Sequence, residues 1–308
     1  MISTPNVKIN LGLNILRRRE DGFHDLETLF VPYFGLHDTL EIITGDDYSR
    51  TSAMLFSRYG DRSLPETQAS FKPEGVFGVE REDNTAPELV QGISEDGKLM
   101  ITIARAEGVD WDPLNDLCAK AYRLLSDKFD LPPVKIFLEK TSPVGAGLGG
   151  GSADAAFTLK MLNEMFALGL SEQQLASYAS RLGSDCPLFI YNRPMIGEGR
   201  GEVLTDFDLD AYLDPQQYEI QVITPAGISV STAEAYGGIV PQLPEVPLRD
   251  ALAMPVDRWD GVLVNDFEMT VFGKHPELAA IKKSLYDCGA VYASMSGSGS
   301  ALFAIYRK

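Results

Sequence analysis

The stretch Val7-Lys8-Ile9-Asn10-Leu11-Gly12-Leu13-Asn14-Ile15 alternates apolar and other residues. That period predicts a strand with its apolar set on one face and Lys8 and Asn10 together on the other. A charged turn from Arg17 to Gly22 leads to a second extended region, Leu26 to Phe34, and then to Asp38-Thr39-Leu40-Glu41-Ile42-Ile43. Together these predict an antiparallel N-terminal sheet. From Gly45 to about Gly97 the alternation fades into polar sequence bearing Gly and Pro, which reads as an insertion at about 46–98, made of strands and loops on the sheet edge.

Periodicity returns at Leu117 to Phe129, where Ala119, Ala121, Leu124, Leu125 and Phe129 fit a helical stripe, and at Val134 to Lys140, a strand. Ala153 to Ala167 is helical by composition, and Ser171 with Gln174 has the capping-box pattern that opens another helix. Beyond Gly201 the pattern predicts strands near Tyr218 to Ile223 and Ala301 to Ile305, with helices near Ser231 to Tyr236 and Glu277 to Leu285. No repeat of fixed period is evident. Two α+β domains, 1–205 and 206–308, are the economical reading.

Composition narrows the partners. The 308 residues are 44% hydrophobic and 23% charged, as in ordinary globular chains, and the formal net charge of -17 argues against nucleic acid, whose phosphates need a basic face. A few backbone N–H groups and one or two lysines can still form a locally positive pocket for a small anion. Cys118, Cys186 and Cys288 are too few and scattered for a disulfide scaffold, and three histidines, His24, His37 and His275, make a His-rich metal centre a poor fit. The N-terminus lacks a signal pattern, and no apolar run approaches the roughly 20 residues that span a bilayer. The expectation is a soluble, cytoplasmic chain acting on a small molecule.

The densest chemistry lies between the predicted strand at Val134 to Lys140 and the helix that follows. Pro143, Val144, Gly145, Ala146, Gly147, Leu148, Gly149, Gly150, Gly151, Ser152 and Ala153 run in succession, five glycines within seven residues. Glycine permits positive φ and close backbone approach, and a helix start offers unpaired N–H groups to a phosphate. A tight turn alone needs one or two glycines. Gly145, Gly147 and Gly150 satisfy the dinucleotide fingerprint, but the segment after the next helix, Ser171 to Leu182, reads as a helix where that motif needs a strand. Gly145, Gly150 and Ser152 fit P-loop spacing, but Gly151 stands where that motif requires lysine. A cation must therefore come from elsewhere in the fold.

Lys8 is the natural candidate, although the pattern equally allows an ordinary solvated strand lysine. Gly183-Ser184-Asp185-Cys186-Pro187-Leu188-Phe189 places Asp185 between a helix end and an apolar strand. A carboxylate there could take the proton of a substrate hydroxyl or orient it; a plain turn residue is the alternative. Asp154 competes, but its place in the first helical turn is favoured by the dipole whatever the function, and it would repel a phosphate bound there. Ser294-Met295-Ser296-Gly297-Ser298-Gly299-Ser300 forms a second small-residue loop. It suggests a ligand clamped from both domains, with a flexible turn as the bland alternative.

Taken together, these segments resemble the galactokinase, homoserine kinase, mevalonate kinase and phosphomevalonate kinase (GHMP) superfamily, whose signature is similar to Pro143 to Ala156. Within it the likeness is to the branch acting on a cytidine-diphosphate-linked methylerythritol. It rests on Lys8 to Leu11, Arg19 to Thr28, Gly183 to Pro187, Asn265-Asp266-Phe267-Glu268 and Met295 to Gly299. The resemblance implies an α+β two-domain GHMP kinase fold, its N-terminal domain like ribosomal protein S5 domain 2 and its C-terminal domain a ferredoxin-like α/β sandwich. It also implies ATP as co-substrate with Mg2+, and Lys8 and Asp185 as the pair at the reacting hydroxyl. Pro143 to Ala153 would bind ATP, and Ser152 is a candidate magnesium ligand. Phe23 and His24, in the turn Asp21-Gly22-Phe23-His24, would read the base by stacking and hydrogen bonding, and Asn10 would contact the methylerythritol part. The family commonly has tyrosine where Phe23 stands and often glycine where Ala146 stands. A kinase of the same superfamily acting on mevalonate derivatives or homoserine is the rival within enzymes. A silent nucleotide-binding module is the rival outside them.

Overall fold

The computed structural model describes residues 1–44 and 88–308. The described chain begins with β1 (Ile2–Ser3), β2 (Asn6–Arg18), β3 (His24–His37) and β4 (Thr39–Thr44), and resumes at β5 (Glu88–Ile93) and β6 (Leu99–Arg105). Helix α1 (Leu117–Ser126), β7 (Val134–Lys140), α2 (Gly150–Met165), α3 (Glu172–Ala179) and α4 (Cys186–Tyr191) follow, then β8 (Met195–Gly199), β9 (Val203–Asp206) and β10 (Tyr218–Ile223). The last stretch holds α5 (Thr232–Tyr236), α6 (Leu248–Leu252), α7 (Phe267–Lys274), α8 (Pro276–Asp287), β11 (Tyr292–Met295) and β12 (Leu302–Arg307). The chain falls into two compact units.

The first unit takes Met1–Asn6, Leu36–Ser142 and Gly151–Leu182. Its five-stranded sheet has the order β1-β4-β7-β6-β5. The registers line up Leu40, Leu138 and Ile103, and likewise Ile42, Ile136 and Ile101, across β4, β7 and β6, all of them buried. β6 and β7 run parallel, which a tight hairpin cannot achieve, and α1 lies in the crossover between them. β5 is the edge strand; positions 46–87 of the expected insertion lie outside the described residues. Helix α3 starts with the expected box, Gln174 N–H donating to Ser171 Oγ at 3.3 Å and Ser171 N–H to Gln174 Oε1 at 2.9 Å.

The second unit takes Val7–Gly35, Pro143–Gly150 and Gly183–Lys308. It holds a four-stranded sheet, β2-β3-β8-β9, and a three-stranded antiparallel sheet, β10-β12-β11. Leu13, Ile15, Val230, Phe267, Val271 and Leu278 belong to its buried core. β2 is tied to the segment before α7: Leu13 N–H donates to Val264 O at 2.8 Å, and Asp266 N–H returns a bond to Leu13 O at 2.9 Å. The expected domain limit at 205 falls within β9 (Val203–Asp206), inside the continuous segment Gly183–Lys308 of this unit.

Four expectations change. The first three strands do not share one sheet: β2 and β3 pair with each other, while β4 pairs with β1 and β7. Alternation reveals that a strand exists and is silent about its partner. Lys8 and Asn10 do not face solvent, since every residue from Asn6 to Ile15 is buried. Cys186 to Tyr191 is helix α4 rather than a strand; a six-residue apolar run carries no decisive period, and Pro187 sits in the first turn, where its missing N–H costs nothing. Helix α2 starts at Gly150, inside the glycine run, rather than at Ala153. Among the described residues no helix is long and apolar enough to cross a membrane.

Candidate active site

β2 delivers Lys8 into the second unit, where the residue is 3% exposed. Its backbone N–H donates to Leu148 O at 2.9 Å, which ties the strand to the glycine loop. Its ammonium donates to Asn10 Oδ1 at 2.6 Å and to Gly147 O at 2.8 Å, and lies 3.4 Å from Asp185 Oδ2. Burial pulls the Lys8 pKa below the ordinary lysine value, and the Asp185 charge opposes this only in part. The Phe30 ring centroid lies 5.5 Å from the ammonium and closes another side.

Asp185 immediately precedes α4 but makes no capping bond to the helix amides. Its carboxylate is therefore not spent on the helix, and its side chain remains 33% exposed. The pair thus consists of a sealed cation and a carboxylate that a ligand can reach.

The glycines of the loop divide by role. Gly145, Gly147 and Gly149 have φ of 73°, 75° and 72°, a left-handed conformation that a side chain disfavours. A Cβ on Gly147 would sit 2.1 Å from Ser296 O, and one on Gly149 would sit 3.2 Å from Lys8 Cε. Gly145 faces open space. Part of the glycine content therefore serves packing: Ser296 Oγ donates to Gly147 O at 3.1 Å, and Ala301 N–H donates to Ala146 O at 3.1 Å. The second small-residue loop rests directly on the first. Asn265 braces it by donating from Nδ2 to Met295 O at 2.8 Å and to Gly297 O at 2.9 Å.

At the turn before β3, Gly22 takes φ of 86° and Phe23 N–H donates to Asp21 Oδ1 at 3.1 Å. Phe23 is 54% exposed, and the Arg200 guanidinium lies 4.9 Å from its ring centroid. His24 stacks on Tyr236, centroids 4.9 Å apart and planes 23° apart. Burial and then the Asp185 charge raise the Tyr236 phenol pKa, so the aromatic pair lies within the field of that carboxylate.

The structure thus joins Lys8, Asn10, Asp185 and Gly147 in one cluster, while His24 stacks on Tyr236, whose phenol feels the Asp185 charge. Ser152 stands half-buried in the first turn of α2 and Gly151 is exposed beside it, both in the first unit. Asp154 is already engaged: it is 1% exposed and holds Lys140 at 2.6 Å. Tyr236 and Arg200 carried no signal in the sequence, whereas Asn265 and Ser296 lay within recognised motifs without a stated role.

Residues 116–193 match the GHMP kinases N terminal domain and residues 256–308 the GHMP kinases C terminal domain. A 4-diphosphocytidyl-2-C-methyl-D-erythritol kinase of Bacteroides thetaiotaomicron is 41% identical over 306 residues, 99% of this chain and 92% of that one. The chain belongs to the 4-diphosphocytidyl-2-C-methyl-D-erythritol kinase family. A member of that family from Azobacteroides pseudotrichonymphae is 39% identical, covering 100% of this chain and 94% of its own. A crystal structure of 4-(cytidine 5'-diphospho)-2C-methyl-D-erythritol kinase superposes with a TM-score of 0.68 at 27% identity, covering 99% of this chain and 89% of that one. The two-domain α+β GHMP kinase fold expected from the motifs is therefore the fold of this chain. As a member of this family it is an ATP-dependent small-molecule kinase.

Proposed function

We infer that this chain transfers the terminal phosphate of ATP to the 2-hydroxyl of 4-diphosphocytidyl-2-C-methyl-D-erythritol, the compound named by its relatives at about 40% identity. The observation that carries the chemistry is the Lys8–Asp185 pair at 3.4 Å, with Lys8 also bonded to the Gly147 carbonyl. In this reading the accessible Asp185 accepts or orients the proton of the attacking hydroxyl. Lys8 keeps Asp185 ionised and offsets charge gathering on the transferring phosphoryl group. The amides from Pro143 to Ala153 hold the ATP phosphates.

Phe23 and His24 form the base-reading corner, the exposed ring for stacking and the imidazole for the base edge. Asn10 stands on the acceptor side with its remaining lone pair on Oδ1. Magnesium keeps several waters and leans on the nucleotide phosphates, and a serine hydroxyl at a phosphate loop can supply a protein oxygen to it, the part the half-buried Ser152 would take. When bound, the ion would neutralise charge between the phosphates. The residues 1–205 and 206–308 would form the N- and C-terminal kinase domains, in line with the two matched segments.

The test is a substrate panel. Purified protein receives ATP with the cytidyl compound, mevalonate or homoserine, and ADP release is followed. Release with the cytidyl compound alone is expected; release with mevalonate or homoserine but not the cytidyl compound would reject this substrate.

A further inference from the structure

Thr28 lies in the first half of β3, fully buried. Its hydroxyl donates to Gly12 O and lies 3.1 Å from Asn10 Nδ2. A hydroxyl has one proton to give, and a carbonyl can only accept. With that proton committed to Gly12 O, the contact to Asn10 exists only if the amide nitrogen donates to the Thr28 oxygen. The Asn10 amide is then oriented, nitrogen toward Thr28 and oxygen toward the Lys8 ammonium at 2.6 Å. Lysine is a pure donor, so the Lys8 end demands the same orientation.

The consequence reaches Asp185. An ammonium has three protons. Two of them are taken by Asn10 Oδ1 and Gly147 O, which leaves the third for Asp185 Oδ2 at 3.4 Å. Reversing the Asn10 amide would point an N–H at the ammonium and release the tripod.

We propose that Thr28 is a positioning residue: its hydroxyl holds the Asn10 amide in the orientation that aims the Lys8 ammonium at Asp185. The proposal rests on the kinase reading and adds one residue to it, Thr28, together with a second role for Asn10, which acts on Lys8 as well as on the substrate side. Among the described residues Asp185 is the charged group acting on Lys8, and the Phe30 ring centroid lies 5.5 Å from the ammonium.

Two variants and one measurement on the unmutated chain test this. Thr28→Val removes the hydroxyl, whereas Thr28→Ser keeps it. Thr28→Val should lower kcat by roughly 10- to 100-fold, with KM for ATP changed by less than about threefold. It should also move the alkaline limb of the kcat profile to lower pH, because the ammonium loses an acceptor. Thr28→Ser should restore both. Full kcat with an unmoved alkaline limb in Thr28→Val, or an equal loss in both variants, would overturn the proposal.

Nitrogen-15 NMR of the unmutated chain gives a readout that needs neither turnover nor a folded variant. The Asn10 side-chain amide protons should exchange slowly with solvent, as in a buried bond; fast exchange there would refute the fixed amide. Should the chain prove inactive on the whole substrate panel, the functional reading falls by that route. The Lys8 nitrogen titration, displaced to lower pH by Thr28→Val and not by Thr28→Ser, still decides the positioning claim.

Discussion

Among the described residues each unit contains one buried lysine facing carboxylates, and the two arrangements have opposite character. In the first unit Lys140 lies between Asp38 and Asp154, both essentially without exposure. Asp38 is further held by the N–H groups of Thr141 and Ser142, each at 2.7 Å. Burial alone would lower the Lys140 pKa, but its two partners outweigh that and hold it above the ordinary lysine value. Burial pushes the Asp154 carboxyl well above the usual carboxylate range despite the pull of Lys140. In the second unit Lys8 has one carboxylate, farther away and one third exposed, and its pKa falls instead. The same residue types make a sealed brace in one place and an unsaturated pair in the other. What separates them is how much of the carboxylate is left for something outside the protein.

This contrast can be broken by substitution. Asp185→Asn is expected to have the largest effect, a fall in kcat on the order of 10²- to 10⁴-fold, with ATP binding and the urea unfolding midpoint close to those of the unmutated chain. Turnover at the original rate would place the base elsewhere. Lys140→Met should do the reverse in kind. Removing the cation strands two buried carboxylates, a loss of about 3–5 kcal/mol in unfolding free energy. Urea denaturation at an unchanged midpoint would erase the distinction between brace and active pair.

The smallest effect concerns pH. As pH rises through the lowered Lys8 pKa, the ammonium loses its proton and kcat should fall earlier than for an ordinary lysine. Stability should move the other way. Across the window from that lowered value up to the ordinary lysine value, the unfolded chain retains a proton that folded Lys8 has released. The contribution of this group to stability therefore rises with pH. Parallel kcat and urea-unfolding profiles, compared with those of Lys8→Met, would show whether the two trends diverge.

Much of this was readable in the residues, and for identifiable reasons. β7 and β10 appear at the expected bounds, Val134–Lys140 and Tyr218–Ile223, because apolar and β-branched residues between turn signals leave little choice. The glycine run announced itself by a density no simple turn requires. β2 was legible as a strand but not as a strand covered on both faces. Alternation is normally the signature of one wet face, and here the polar set is spent on internal bonds, with Asn10 between Lys8 and Thr28. Helix α4 is not legible as a helix because a six-residue apolar run, Cys186 to Tyr191, suits either conformation. Tyr236 was invisible because its relation to His24 depends on tertiary packing between residues far apart in the chain. The division of labour among the glycines was hidden too, since Gly147 answers to Ser296, whose proximity no spacing reveals.

The carbonyls of the glycine loop carry one more implication. The oxygens of Ala146, Gly147 and Leu148 accept from Ala301, from Lys8 and Ser296, and from the Lys8 backbone. The peptides that follow them are trans, so each one's N–H points away from its own oxygen. Fixing three successive oxygens against the protein therefore turns the amides of Gly147, Leu148 and Gly149 the other way. With left-handed φ at Gly147 and Gly149, this run has the alternating character of an anion-cupping nest. The lysine that would balance charge at the reacting group also helps set the polarity of this cup. An arriving phosphate would meet donors that are already aimed, and the entropic cost of ordering them is met when the chain folds rather than when the nucleotide binds.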